Sequence, residues 1–199
     1  MLLHGFVPVS RANGPGRRAV LWFQGCTLNC SECWNPASHP FEGVMNDGND
    51  IIQRIVGLHR AGDIEGLTFS GGEPMQQASS VLELIERLRQ AGAASLSFGM
   101  FTGYTLHEVE GGRYFTFEDC RDKAGTWRLI RPRLDFAVMG RYNRLAPTAL
   151  PLRSSRNQRL QLFTNRYQES DFAEPLVEVS IEQDGVTTVT GFPLLGIPE

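Results

Sequence analysis

Strands alternate with helices through the first half of the chain, and this alternation limits the fold more than any other feature of the sequence. Residues 18–24, 66–70 and 95–101 are short runs rich in apolar and aromatic residues, which is typical of buried strands. Apolar residues at helical spacing lie between these runs, in residues 50–60 and again at Val81, Leu82, Ile85 and Leu88. The order predicts an α/β fold in which crossover helices join parallel strands.

The second half of the chain carries weaker patterns. It predicts a short helix in residues 118–124 and strands in residues 134–139 and 158–163. Residues 176–180 and 186–190 flank Asp184 and Gly185, a turn dipeptide that predicts a C-terminal β-hairpin. Because no repeat or linker interrupts the 199 residues, we expect a single domain over residues 1–199.

Composition excludes several classes of protein. Hydrophobic residues make up 41% of the chain and charged residues 21%, a balance typical of a folded domain. The net charge of −3 provides no general basic field, so we expect no nucleic-acid partner. The longest apolar run near the start, residues 19–23, is too short to span a bilayer, and residues 1–11 lack the basic start of a secretory signal. We therefore expect a cytoplasmic protein without a membrane partner.

Three of the four cysteines, Cys26, Cys30 and Cys33, lie within eight positions, whereas Cys120 is isolated. Crowded thiols in a chain without a secretory signal favour a metal or cluster site over disulfides. One interpretation is a zinc site with His39 as the fourth ligand, since structural zinc usually takes four protein ligands. The other is a cubane iron–sulfur cluster, in which three cysteines leave one iron without a protein ligand.

Unusual residues follow each of the first three predicted strands. The cysteines come after the first, Gly71, Gly72 and Glu73 after the second, and the residues 102–105, TGYT, after the third. The carboxyl ends of parallel strands meet at one edge of a sheet, so these three loops are expected to form one site. Glycines in such a loop allow positive φ angles and let the backbone approach a ligand closely.

The spacing C-x3-C-x2-C of Cys26, Cys30 and Cys33 resembles the signature of the radical S-adenosylmethionine (SAM) superfamily. The residues 13–17, NGPGR, the segment SGGEP and the late segment 155–159, SRNQR, are similar to those of glycyl-radical-enzyme activating proteins. The resemblance covers most of residues 12–165, with a gap at residues 108–133. It implies a partial (β/α) barrel of the radical SAM type, with a mainly parallel sheet.

The resemblance also implies cofactors and their contacts. A [4Fe-4S] cluster would be held by Cys26, Cys30 and Cys33, and the amino and carboxylate groups of SAM would chelate its open iron. The methionine end of SAM would meet the loop after the second predicted strand, and its ribose or adenine would meet the loop after the third. Trp34 would pack on the adenine. No side chain is required as a general base. The loop residues assigned to SAM in this way are Gly71, Gly72, Glu73, Thr102, Gly103 and Tyr104.

The substrate implied by the resemblance is a glycine of a partner glycyl-radical enzyme such as an anaerobic ribonucleotide reductase, with an electron donor such as flavodoxin.

Two positions depart from the residues that members of the superfamily carry there. Glu32 precedes the third cysteine where many members have an aromatic residue, and Met139 precedes Gly140 where the reductase activators tend to have an acidic one.

Two other functions stay open from the sequence. One is a radical SAM enzyme for a small molecule or peptide, similar to 7-carboxy-7-deazaguanine synthase, and the other is a non-catalytic zinc module. The arginine-rich residues 128–159 are either a solvated face or a surface for an acidic partner. Within them, residues 157–159 line the site, contact a partner or form a solvated turn, and Cys120 is interpreted as an inert thiol.

Overall fold

Strands β1 to β6 form one sheet in their chain order, with four parallel strands in the middle. The computed structural model describes residues 1–172, 177–181, 185 and 187–191. The parallel strands are β2 (Arg18–Phe23), β3 (Gly66–Gly71), β4 (Ser97–Thr102) and β5 (Phe136–Met139). At the two edges, β1 (Leu3–Ser10) and β6 (Arg159–Leu162) pair antiparallel. The predicted α/β fold with a mainly parallel sheet is confirmed, whereas the partial barrel stays a prediction, since a linear strand order is common to an open sheet and a partial barrel.

Helices cover one face of the sheet and form the main core with it. They are α1 (Asn49–Arg60), α2 (Ala78–Gln90), α3 (Leu106–Glu110) and α4 (Lys123–Ile130). Apolar side chains that alternate along the strands pack against the apolar stripes of α1 and α2, so burial of both surfaces stabilises the layer. Within the described part of the chain, none of the helices has the length and apolar character needed to cross a membrane.

The opposite face of the sheet carries a buried arginine at the amino ends of the strands. Arg18 is fully buried, and its Nε donates to Thr68 Oγ1 at 2.7 Å. Its Nη1 donates to Ser97 Oγ at 2.7 Å, and its guanidinium lies 5.0 Å from the centre of the Phe136 ring. Arg18, at the start of β2, thereby contacts side chains from the three strands that follow β2 in the sheet.

The structure differs from the sequence predictions at three elements. Strand β1 was not predicted, because His4, Gly5 and Pro8 interrupt its apolar pattern; its ladder with β2 holds it at the sheet edge. The predicted helix at residues 118–124 is wrong, since α4 begins after Asp122, whose side chain accepts the Gly125 N–H at 2.7 Å. Helix α3 was also not predicted, and it begins with a capping box in residues 105–108.

Two C-terminal strands form an antiparallel ribbon, as predicted. They are β7 (Val177–Ile181) and β8 (Thr187–Gly191), with Val179 opposite Val189. The predicted positions Leu176, Asp184 and Val186 lie outside the described residues. The ribbon contacts the segment after β1, because Glu178 accepts hydrogen bonds from Ser10 Oγ and Arg11 N, and Thr190 Oγ1 accepts one from Asn13 Nδ2 at 2.7 Å.

Candidate functional site

The loops after β2, β3, β4 and β5 meet at one cavity of about 150 Å³ at the carboxyl edge of the parallel strands. The loop after β2 that carries the three clustered cysteines (the cysteine loop) therefore shares a cavity with two other loops. These are residues 71–73 at the end of β3 (the glycine-glutamate loop) and residues 102–103 at the end of β4 (the Thr-Gly loop). The lining consists of Cys26, Leu28, Cys30, Cys33, His39, Ser70, Gly71, Gly72, Glu73, Phe101, Thr102, Gly103, Val138, Gly140, Tyr142 and Gln158.

Backbone hydrogen bonds hold the start of the cysteine loop. Gly25 N donates to Ser38 O at 2.7 Å, and Cys26 N donates to His39 O at 2.9 Å. Gly25 has a φ of 105°, and a Cβ at this position would come within 2.4 Å of the Phe41 ring, so only glycine fits. The loop therefore turns tightly where β2 ends and presents its cysteines at the cavity.

The three thiols are partly buried, and those of Cys26 and Cys30 receive backbone hydrogen bonds. Burial raises the pKa of Cys26 to about 11, and the nearby charge of Glu73 adds to the rise. Burial also raises the pKa of Cys30, while a hydrogen bond from the Tyr142 backbone acts in the opposite direction. Without a cation the Cys26 and Cys30 thiols therefore stay protonated at neutral pH, and a bound metal centre would stabilise their thiolates.

The donor set fits a cubane better than a single zinc ion. Among the residues that the structure describes, no three His, Cys, Asp or Glu side chains converge closely enough to hold one metal ion. Cysteine ligands of a cubane each bind a different iron and need not converge on one point, and Cys26, Cys30 and Cys33 line one cavity. Backbone hydrogen bonds to the sulfurs are also typical of iron–sulfur sites.

Gly71 and Gly72 bring the loop after β3 against the loop after β2. Gly71 has a φ of 98°, which favours glycine, and a Cβ there would lie 2.4 Å from Phe23 N. A Cβ on Gly72 would lie 2.4 Å from Gly25 O and 2.8 Å from Ser38 O. The two glycines are thus required for contact between the two loops, in addition to any contact with a ligand.

Glu73 is completely buried, and its carboxylate joins two of the loops. Oε1 accepts hydrogen bonds from Met75 N at 2.9 Å and Thr102 Oγ1 at 2.7 Å, and Oε2 accepts one from Gly103 N at 2.7 Å. Burial raises the pKa of Glu73 to about 7, although these three hydrogen bonds lower it. The glutamate therefore orders the backbone after β4 and still lines the cavity.

Tyr104 lies behind the cavity and not among its lining residues. Its hydroxyl accepts hydrogen bonds from Gln76 Nε2 at 2.8 Å and Phe115 N at 3.1 Å. Gln76 also accepts the Thr27 N–H at 3.0 Å, so this buried amide links the cysteine loop to Tyr104. Gln76 was not predicted to take part in the site, and its place three residues after the glutamate of the SGGEP segment was the available signal.

Trp34 lies at a second cavity of about 430 Å³ that adjoins the first. Its side chain is half-exposed, and its ring meets the Tyr142 ring edge-on with 5.9 Å between centroids. Glu32, at the position of the departure from the family pattern, forms an ion pair with Arg144 in the loop after β5. The cysteine loop is therefore covered on this side by the loop between β5 and β6.

The loop between β5 and β6 supplies cavity residues that the sequence left ambiguous. Gln158 lines the cavity and donates to Gly140 O at 3.1 Å, whereas Asn157 donates to Arg141 O at 2.7 Å. Arg159 and Arg156 are exposed. His39, which the sequence offered only as a zinc ligand, also lines the cavity, as does Tyr142, which had no sequence signal.

Cys120 and several arginines are paired with nearby side chains. The Cys120 sulfur lies 3.2 Å from Thr126 Oγ1, outside the cysteine loop. The hydrogen bond from Arg141 lowers the pKa of Glu108 to about 2. Five arginines of residues 128–159 meet carboxylates or a ring, which are the pairs Arg128 with Asp122, Arg131 with Phe163, Arg133 with Glu86, Arg141 with Glu108 and Arg144 with Glu32.

Comparison with known proteins agrees with this site. The family described as "4Fe-4S single cluster domain" matches residues 12–161. The anaerobic ribonucleoside-triphosphate reductase-activating protein of Vibrio cholerae is 28% identical over 169 residues, covering 82% of this chain and 99% of that protein. The protein of the same name from Escherichia coli K12 is 31% identical over 127 residues, covering 57% of this chain and 75% of that protein.

A more distant relative is the pyruvate formate-lyase-activating enzyme of Clostridium pasteurianum. It is 29% identical over 93 residues, covering 45% of this chain and 39% of that enzyme. The matched family segment contains all three clustered cysteines and the glycine-glutamate loop, and the cofactors of these activating enzymes are a [4Fe-4S] cluster and SAM. The chain belongs to the 4Fe-4S single cluster domain family and, within it, to the radical SAM enzymes of the glycyl-radical-enzyme activating type.

Proposed function

We propose that this protein cleaves SAM reductively and uses the product to take a hydrogen atom from a glycine of a partner protein. One observation carries the proposal: the cysteine loop, the glycine-glutamate loop and the Thr-Gly loop come from three different strands and line a single cavity. Three thiols alone are compatible with other metals. The same thiols beside a buried glutamate and two close-packed glycines are compatible with a cluster that binds a second ligand.

The chain's own residues would bind, orient and shield these groups. Cys26, Cys30 and Cys33 would hold the cluster, and Gly71, Gly72 and Glu73 would meet the methionine end of SAM. When bound, the reduced cluster would supply one electron to the SAM sulfonium, and the C–S bond cleavage would give methionine and a 5′-deoxyadenosyl radical.

The loop after β4 would bind the other end of SAM. Thr102 and Gly103 line the cavity on the ribose side, Tyr104 supports their loop from behind through Gln76, and Trp34 packs on the adenine. The protein needs no general base in this scheme, because a hydrogen atom and not a proton leaves the substrate. We propose that residues 1–199 act as one domain.

The names of the relatives suggest the partner. Those relatives are activating proteins of an anaerobic ribonucleoside-triphosphate reductase and of pyruvate formate-lyase. We infer that the substrate glycine belongs to a glycyl-radical enzyme, with an anaerobic ribonucleotide reductase as the first candidate. A flavodoxin in the cytoplasm would serve as the electron donor.

The decisive experiment compares Cys30→Ser with Cys120→Ser after anaerobic reconstitution with iron and sulfide. The unchanged chain and C120S are expected to form a cluster and, with dithionite and SAM, to release 5′-deoxyadenosine. C30S is expected to lose both, because it removes one of three ligands, whereas Cys120 lies outside the cavity. A full cluster and normal product in C30S would refute the ligand assignment. A colourless protein that binds zinc without sulfide would refute the proposed function.

A further inference from the structure

A third cavity, of about 370 Å³, lies between the end of α3 and the segment that runs from α4 towards β5. Its lining consists of Glu110, Trp127, Arg128, Arg131 and Pro132. None of these five residues lines the cavity of the cysteine loop or the cavity beside Trp34. The proposed function therefore leaves the third cavity without a role.

Trp127 leaves a hydrogen-bond donor unpaired at this cavity. Its side chain is buried, with 1% exposure, and its Nε1 is the one buried side-chain nitrogen or oxygen without a hydrogen-bond partner among the described residues. The indole meets the Phe163 ring edge-on with 5.9 Å between centroids, and that ring offers no acceptor oxygen. A buried donor without an acceptor is costly, so its place in a cavity lining indicates that a ligand supplies the acceptor.

Two arginines in the same lining give the cavity a positive charge. Arg128 forms an exposed ion pair with Asp122 at 3.6 Å, a kind of pair that contributes little, so its guanidinium can take another partner. The Arg131 guanidinium lies 5.4 Å from the centre of the Phe163 ring and forms no ion pair within the described part of the chain. Glu110, which is exposed, carries the single negative charge of the lining. The net charge of the lining therefore favours an anion.

The donors of the lining indicate the shape of this anion. They belong to three separate side chains, one indole N–H and two guanidinium groups, so their hydrogen atoms approach a ligand from different directions. The oxygens of a phosphate group point to the corners of a tetrahedron, whereas those of a carboxylate lie in one plane. Guanidinium groups also bind phosphate through two parallel hydrogen bonds. A phosphate group therefore satisfies all three donors better than a carboxylate does.

We propose that the third cavity binds a phosphate group, free or as a phosphate ester, through Trp127 Nε1 and the guanidinium groups of Arg128 and Arg131. Glu110 repels the bound anion and so limits the affinity. This inference is independent of the proposed function, because neither the cluster nor SAM takes part in it.

A fluorescence titration tests the chemistry of the ligand. The chain has three tryptophans, so the double variant Trp22→Phe, Trp34→Phe emits from Trp127 alone. Potassium phosphate, glycerol 3-phosphate, potassium acetate and potassium chloride are added to the reconstituted variant at equal ionic strength. Both phosphates are expected to shift the emission saturably, with acetate at least about fivefold weaker. Tighter binding of glycerol 3-phosphate would assign the ester as the ligand, and equal binding would assign free phosphate. An equal response to chloride would mean an adventitious ion only, and equal binding of acetate would overturn the choice of a phosphate group.

Calorimetric titration of phosphate into single variants tests the three donors. Trp127→Phe keeps an aromatic ring but removes the indole N–H, and Arg131→Gln removes a guanidinium; each is expected to weaken phosphate binding at least about fivefold. Arg121→Gln is the control, because that side chain is 93% exposed and lies outside the lining, and its affinity is expected to stay within about twofold. An unchanged affinity in folded W127F would overturn the proposal.

Glu110→Gln adds a test that a misfolded variant cannot imitate, because its expected result is a gain. Without the negative charge of the lining, phosphate is expected to bind about threefold more tightly. Glu42→Gln removes the same charge from an exposed position outside the lining and is expected to leave the affinity unchanged. Equal affinities of E110Q and E42Q for phosphate would overturn the placement of the anion in this cavity.

Discussion

At the scale of single residues, Glu73 has the largest role in the candidate site. A solvent-facing glutamate in a tight turn would have few constraints, but this carboxylate is fully buried and accepts three hydrogen bonds. Its contacts join the turn after β3 to the loop after β4. Loss of the carboxylate would therefore disturb the loop positions as well as any contact with SAM.

The raised pKa of Glu73 predicts a pH dependence of stability in the cluster-free protein. The pKa rises from 4.5 in the unfolded chain to about 7 in the folded one, so the folded state binds the proton more tightly. The tighter proton binding of Glu73 therefore stabilises the folded state, and this contribution to the free energy of unfolding is complete below pH 4.5 and is lost as pH rises through 7. Its upper limit is roughly 3 kcal/mol. Glu73→Gln, which does not titrate, is expected to lack this decline in urea unfolding between these pH values. Parallel pH profiles of the two proteins would contradict the assignment.

The Thr102 hydroxyl provides a second residue-scale prediction. Thr102→Val keeps the shape of the side chain but removes the donor to Glu73 Oε1. The free energy of unfolding is expected to fall by about 1–2 kcal/mol at neutral pH, since a buried carboxylate loses a hydrogen bond. Thr102→Ser retains the hydroxyl and serves as the control. A loss in T102S as large as in T102V would show that the methyl group and not the hydrogen bond matters.

At the scale of elements, the loops after β2 and β3 depend on each other. Gln24 Nε2 donates to Pro40 O, and Gly72 packs on Gly25 O and Ser38 O, so the cysteine loop folds against the glycine-glutamate turn. The close approach leaves no space for a side chain. The position of the thiols is therefore set by contacts between two loops and not by the cysteine spacing alone.

Gly72→Ala tests this dependence. Its Cβ would approach two backbone carbonyl oxygens within 2.8 Å, so the loops must separate. The variant is expected to retain less than about half of the iron after reconstitution and to lose about 2 kcal/mol of unfolding free energy. Gly57→Ala is the matched control, because that helical glycine has no atom within 4 Å of an added Cβ and should gain about 0.5–1 kcal/mol. Full iron content in G72A would contradict the loop contact.

At the scale of the whole molecule, Arg18 connects distant parts of the chain. Its guanidinium donates to Thr68 and Ser97 on neighbouring strands and lies within 3.4 Å of the Tyr167 hydroxyl after β6. No carboxylate forms an ion pair with it within the described residues, so hydrogen bonds and the Phe136 ring offset its burial. Burial lowers the pKa of Arg18, which nonetheless remains charged at neutral pH.

Arg18→Met is expected to destabilise the fold by about 3 kcal/mol, because the hydroxyls and carbonyls on its face lose their donor inside the protein. Urea unfolding measures the change. Arg121→Met, at a side chain with 93% exposure, is expected to change the unfolding free energy by less than about 0.5 kcal/mol. Equal stability of R18M and the unchanged chain would show that Arg18 is not a structural link.

The sequence by itself determined the alternation of strands and helices and the loops that carry unusual residues. Hydrophobic periodicity is local, so β2, β3, β4 and α1 were predicted to within about two residues. Strand β1 was missed because its stability comes from pairing with β2. The start of α4 was missed because the cap at Asp122 outweighs a weak apolar pattern. The cysteine spacing determined the candidate ligands, since ligand chemistry depends on residue type.

Only the tertiary structure decided which of these residues share a cavity. Tyr104 lies next to the Thr-Gly pair in sequence but packs behind the site, whereas Gln158 comes from a distant segment and lines it. The structure also showed that Glu73 bridges two loops. These contacts join residues far apart in the chain, and local patterns carry no information about such distances. The chemistry was thus readable from residue types, and its geometry arose from packing.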